Sequence, residues 1–214
     1  MTILWDWNGT LFDDTEAAIG ALNDQLVCRG LKPITREYYR AHFAFPVRSF
    51  YAQVGMDLEH EDWNALAQGY HDAYHARPAQ PNAEAVAALS LAREAGCRQA
   101  IVSALRQDYL DATVARFGLT DFFAALIGAD NLDGGSKLAR AQAFLQQDRA
   151  VHGARERYVL IGDALHDAEV AESLGIGCVL FSGGSHAGER LARVAPTEDT
   201  LLACIRRALT EFVV

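Results

Sequence analysis

Five short apolar runs divide the chain, and helical patterns fall between them. Ile3–Trp7, Gln99–Val102, Ala125–Ile127, Tyr158–Ile161 and Cys178–Phe181 are short and nearly continuously apolar, the signature of strands buried on both faces of a parallel sheet. Helical patterns cover Ala83–Ala95, Gln107–Phe117, Ser136–Gln147, Asp167–Leu174 and Thr200–Leu209. Gly96, Gly118 and Gly175 stand just past three of them, where a left-handed C-terminal cap is expected. This alternation predicts an α/β fold, a Rossmann-like doubly wound parallel sheet with helices on both faces.

One interval breaks the pattern. Residues 14–79 contain no convincing strand and read as helices around Glu16–Arg29, Thr35–Ala41, Pro46–Val54 and Asp62–Arg77. So long a helical stretch between the first two strands is an inserted subdomain rather than a crossover. The expected division is a core of residues 1–13 and 80–214 with a helical insertion at 14–79. The 214 residues suit one such domain.

The net charge of −9 repels phosphate backbones and anionic bilayers, so neither nucleic acid nor a membrane is an expected partner. A small anionic substrate would then need a metal ion or a local positive site. Cys28, Cys97, Cys178 and Cys204 show no metal-ligand spacing and are expected to be buried thiols. The first strand begins so early that no signal peptide is expected, and no apolar run is long enough to span a bilayer. A cytoplasmic monomer or homodimer is the corresponding expectation.

Chemistry-bearing residues gather at the predicted strand ends. Asp6 follows the first run and leads into Trp7-Asn8-Gly9-Thr10, a turn whose N–H groups can hold a phosphate. Ser103 ends Ala100-Ile101-Val102, Lys137 opens a helix after Gly134-Gly135, and Asp163 and Asp167 follow Tyr158–Gly162. Taken singly, these residues could be a turn former, a helix N-cap, a solvated lysine and a pair at a helix N-terminus.

Taken together and in order, they resemble the four motifs of the haloacid dehalogenase superfamily, in its phosphoglycolate-phosphatase-like branch. The insertion then sits where that branch carries an all-helical cap. The resemblance implies a Mg²⁺-dependent phosphohydrolase acting on a small phosphorylated metabolite. Asp6 would attack phosphorus and form an aspartyl-phosphate. Mg²⁺ would be held by Asp6, the backbone carbonyl of Asn8 and Asp163, with Asp167 behind them orienting Lys137 or a bound water. Ser103 would bond a phosphoryl oxygen and Lys137 would offset charge. Gly9 and Ala104 would border the substrate, with Arg48, His42 and Tyr74 of the insertion contacting its distal part.

Three departures qualify the match. The superfamily's phosphatases carry an aspartate at position 8 that protonates the leaving group and then activates water. Asn8 cannot carry a proton at neutral pH, which costs about 10²–10⁴ in rate. Ala104 and Leu138 stand where Asn and Pro are common, and neither change removes a reactive group. His166, in the loop with Asp163 and Asp167, is a possible substitute acid or base, although a packing role suits it as well. His71 and His75 share a helix face that should be solvent-exposed, and Gly183-Gly184 reads as a plain loop. Two rival readings stay open. One is a phosphate-binding or regulatory module that has lost turnover through Asn8. The other, a metal-independent dehalogenase, leaves the Asp163 and Asp167 pair unexplained.

Overall fold

The central strand β1 (Thr2–Trp5) is buried at every residue, and its side chains alternate between two cores. A computed structural model describes residues 1–130, 136–153 and 155–212. After β1 come β2 (Phe12–Asp13), four helices α1 (Thr15–Val27), α2 (Arg36–His42), α3 (Val47–Gln53) and α4 (Trp63–His75), and β3 (Gln80–Pro81). The rest of the chain alternates: α5 (Ala85–Glu94), β4 (Arg98–Arg106), α6 (Gln107–Arg116), β5 (Ala125–Ala129), α7 (Leu138–His152), β6 (Tyr158–Gly162), α8 (Leu165–Leu174) and β7 (Gly177–Phe181). A short α9 (Gly188–Leu191), an edge strand β8 (Thr197–Glu198) and α10 (Leu201–Glu211) complete it.

Six strands form one parallel sheet in the order β5-β4-β1-β6-β7-β8. Ile3 and Trp5 of β1 face a core shared with α5, α6 and α10, while Leu4 faces α7 and α8. Each side of the sheet therefore needs a helical layer to dry it, which is the doubly wound arrangement the apolar runs predict. The one buried polar pair in β1 and β4 is satisfied: Trp5 Nε1 donates to Gln99 Oε1 at 2.9 Å, and Gln99 Nε2 donates to the Leu89 carbonyl. Gly96, Gly118 and Gly175 all take the expected positive φ. The edge strand β8 and the short α9 have no counterpart in the sequence reading, because two to four residues carry too little periodicity to register.

Helices α1 to α4 build a separate core around Leu22, Leu26, Tyr39, Phe50 and Leu66. The chain leaves and re-enters the core through β2 and β3, which pair antiparallel, Phe12 opposite Pro81 and Asp13 opposite Gln80. At the far side, Arg190 Nη1 donates to the carbonyls of Arg40 and Phe43, and Arg40 donates to the carbonyls of Ser182 and His186. The thiols divide unevenly. Cys204 is buried and Cys97 and Cys178 are half-buried, but Cys28, just past α1, is exposed, contrary to the expectation of four buried thiols. No helix among the described residues is long and apolar enough to cross a membrane.

Candidate active site

Strand order determines which loops meet. The chain runs outward from β1 through β4 to β5, then returns to place β6 on the other flank of β1. The carboxyl ends of β4, β1 and β6 are therefore neighbours at the point where winding reverses, the place open α/β sheets use for ligands. Asp6 follows β1 directly, with its own N–H still donating to the Ile161 carbonyl of β6. Ser103 lies in β4 where the pairing register with β5 shifts. Asp163 follows β6.

Lys137, at the start of α7, is buried, and its ammonium lies 2.6 Å from Asp6 Oδ1 and 2.5 Å from Asp167 Oδ1. It also donates to the Val102 carbonyl at 3.2 Å. Burial works against its charge, but the Asp167 and Asp6 carboxylates outweigh that and hold its pKa above the usual lysine value. The Gly134-Gly135 turn expected before it lies outside the described residues. Asp163 accepts from Thr10 Oγ1 at 2.9 Å and from the Ser185 N–H at 2.5 Å, and Asp167 Oδ2 accepts from the Ala164 N–H at 2.9 Å.

Carboxylate oxygens of Asp6, Asp163 and Asp167 all lie within 4.8 Å of one another, and all three residues are buried. Against them stands one ammonium. Burial raises the Asp6 carboxyl well above its usual range despite Lys137, and Asp167 and Asp163 add to the rise. Burial and the nearby Asp167 push Asp163 up to about 6. This excess of negative charge is what a hard divalent cation neutralises, and the all-oxygen donor set suits Mg²⁺. The backbone is drawn in around the same spot. A Cβ on Gly9, whose φ is 76°, would lie 2.3 Å from Asp163 Oδ2, and one on Gly184 would meet both that oxygen and the Gly9 carbonyl at 2.3 Å. Gly183-Gly184 is therefore more than a plain loop: its second glycine allows the chain to close on Asp163.

Asn8 is committed on its donor side. Its Nδ2 donates to Asp14 Oδ2 at 2.7 Å and to the Tyr74 hydroxyl at 3.0 Å, which leaves Oδ1 turned toward Ser103 Oγ at 3.4 Å. Asp14 also accepts from the Gly9 N–H at 2.7 Å and from Tyr74 at 2.5 Å. Burial outweighs these bonds from Tyr74, Asn8 and Gly9, and the Asp14 carboxyl sits above its ordinary value. Sequence reasoning passed over Asp14. The available signal was a second acid in Asp13-Asp14, six residues past a position that lacks its own.

A cavity of about 190 Å³ opens over Asp6, lined by Asn8, Asp14, Ser103, Lys137 and Asp163 on the core side. Ala104, His166, Asp167 and, from α4, Tyr74 also line it. His166 turns its ring toward Phe45, 4.9 Å between centroids, and its Nδ1 lies 3.2 Å from Glu169. His71 lines the cavity too, which corrects the expectation of an exposed face shared with His75. Two expected substrate contacts are not brought there. Arg48 is exposed with its guanidinium 4.3 Å above the Trp63 ring, and His42 is exposed and stacked on Tyr38. Both sit on the outer sides of their short helices, a matter of rotation that spacing alone does not determine.

The chain matches the model of the haloacid dehalogenase-like hydrolases over residues 3–181. It belongs to that family. Within it, the chain is 32% identical over 190 residues to a phosphoglycolate phosphatase of Caulobacter vibrioides, covering 86% of this chain and 79% of the relative. A phosphoglycolate phosphatase of Rhodobacter capsulatus is 27% identical over 190 residues, covering 85% of this chain and 84% of the relative. The fold superposes on a haloacid dehalogenase-like protein from Agrobacterium tumefaciens with a TM-score of 0.76 at 21% identity, covering 98% and 99% of the two chains. The chain is a phosphatase of this family.

Proposed function

We propose that the protein hydrolyses a small phosphomonoester through a covalent intermediate on Asp6. The observation that supports this reading is the convergence of Asp6, Ser103, Lys137 and Asp163 on one cavity at the sheet's winding reversal. An Asp6 oxygen attacks phosphorus, the bond from phosphorus to the alcohol oxygen breaks, and the alcohol leaves with a proton. Water then attacks the aspartyl-phosphate, loses a proton, and releases phosphate from a regenerated carboxylate. Ser103 and the turn N–H groups hold phosphoryl oxygens, and Lys137 balances charge on Asp6. Asp6, the Asn8 carbonyl and Asp163 would hold Mg²⁺, which when bound supplies neutralisation of the phosphoryl charge.

The proton that Asn8 cannot carry falls to Asp14. Its carboxyl lines the cavity, is bonded directly to Asn8, and is buried enough to favour holding a proton. His166 is left as a packing partner of Phe45. A second reading draws on the same Asn8 bonds: a phosphate-binding module in which the amide orders the site but turnover is lost. Phosphate release from acetyl phosphate and a panel of monoesters, phosphoglycolate included, separates the two. Hydrolysis that requires both Mg²⁺ and Asp6 supports the enzyme. Phosphate binding with Mg²⁺ and no release supports the module.

A further inference from the structure

We infer that the alcohol half of the substrate is uncharged and carries a single aromatic ring, a reading that rests on the phosphatase function proposed above. The cap side of the cavity is a box of rings, with Tyr39, Phe43, Phe45, Tyr51, Trp63 and Tyr70 all lining it. None of the five arginines or the single lysine within residues 14–79 lines it. The arginines are engaged elsewhere: Arg29 on Glu61, Arg36 on Glu16, Arg77 on Asp24, Arg40 on the Ser182 and His186 carbonyls, and Arg48 over Trp63. The cap's one titratable nitrogen base in the wall is the His71 imidazole.

Among the described core residues of the wall, Lys137 and Arg106 are both paired, and His166 packs on Phe45 with its Nδ1 3.2 Å from Glu169. Lys137 is held between Asp6 and Asp167, and Arg106 is bidentate on Asp108 at 2.6 and 2.7 Å while lying over the Tyr109 ring. A second anionic group on the substrate, such as a carboxylate, would lose its water among aromatic side chains. A flat, uncharged ring meets offset or edge-on partners on several sides. The size agrees: a cavity of about 150 Å³ accommodates benzene, and this one measures about 190 Å³.

Two non-hydrolysable phosphonates with the same linker test this: 2-phenylethylphosphonate and 3-phosphonopropionate, titrated calorimetrically into the full chain with Mg²⁺. The phenyl compound is expected to bind at least about tenfold more tightly, and Phe45→Ala is expected to narrow that preference severalfold. Equal or tighter binding of the carboxylate compound, or binding of neither, overturns the inference. Asp6-dependent release of phosphate from acetyl phosphate, which has no ring, reports on the underlying reading separately. If acetyl phosphate is hydrolysed but the carboxylate compound binds better, the substrate class is wrong and the phosphatase stands. If the phenyl preference holds but acetyl phosphate is untouched, the ring pocket stands and hydrolysis falls.

Discussion

At the level of single residues, the proposed exchange of functions between positions 8 and 14 is open to direct test. Asp14→Asn keeps shape and most hydrogen bonds but removes the carboxyl bonded to Asn8, and steady turnover is expected to fall by about 10²–10⁴. Asn8→Asp alone should not help, because it sets a second carboxylate 2.7 Å from the first. The double exchange Asn8→Asp with Asp14→Asn restores one acid and one amide, and should recover much of the loss. Steady-state and single-turnover rates on an aryl phosphate check all three, and an unchanged Asp14→Asn rate would remove the proton role. Asp163 gives a prediction on stability. Its folded pKa of about 6 lies above the ordinary 3.8, so between those values the folded state binds more protons and stability falls as pH rises. Metal-free Asp163→Asn, whose amide can still accept from Ser185 and donate to Thr10, should match wild type near pH 4. Above pH 6 it should exceed wild type by about 2–3 kcal/mol, as read from urea unfolding in EDTA.

At the level of elements, the core and the cap are tied at two points besides the β2–β3 pair. Tyr74, near the end of α4, and Asp14, just before α1, bond each other and Asn8, so both cap helices next to the β2–β3 pair reach the turn that follows Asp6. We propose that the β2–β3 pair is the hinge between core and cap, with Arg190 and Arg40 latching the far side. Arg190→Ala frees the Arg40 and Phe43 carbonyls of a shared donor. It should raise KM severalfold with a smaller change in kcat, and speed amide exchange in α2 without affecting β1 or β6. Exchange that is unchanged in α2 would mean the latch is not what holds the cap down.

At the level of the whole molecule, stability and the proposed catalysis both depend on one feature, the buried carboxylate cluster of Asp6, Asp163 and Asp167. Mg²⁺ at about a hundred times its Kd should add about 2.7 kcal/mol by mass action, or about 5–10 °C in melting temperature for a chain of this size. Asp6→Asn should abolish turnover, melt no lower than wild type without metal, and respond less to Mg²⁺; calorimetry of both proteins checks this. The primary sequence determined the doubly wound sheet, because strands dry on both faces must be continuously apolar, and it put Asp6, Ser103 and Asp163 at one edge of that sheet, because each follows such a run, with Lys137 opening the helix after β5. It also showed that position 8 lacks a carboxyl group. It could not show that Asp14 lies against Asn8, since that depends on how the turn folds back between Gly9 and α1. Nor could it show that Arg48 and His42 turn outward while His71 and seven aromatic rings turn in, because helix rotation in the cap is decided by packing among α1 to α4. The apolar pattern of a chain determines which surfaces must be buried; which side chains then face a cavity between two packed units depends on how those units dock, and that is a property of the tertiary structure alone.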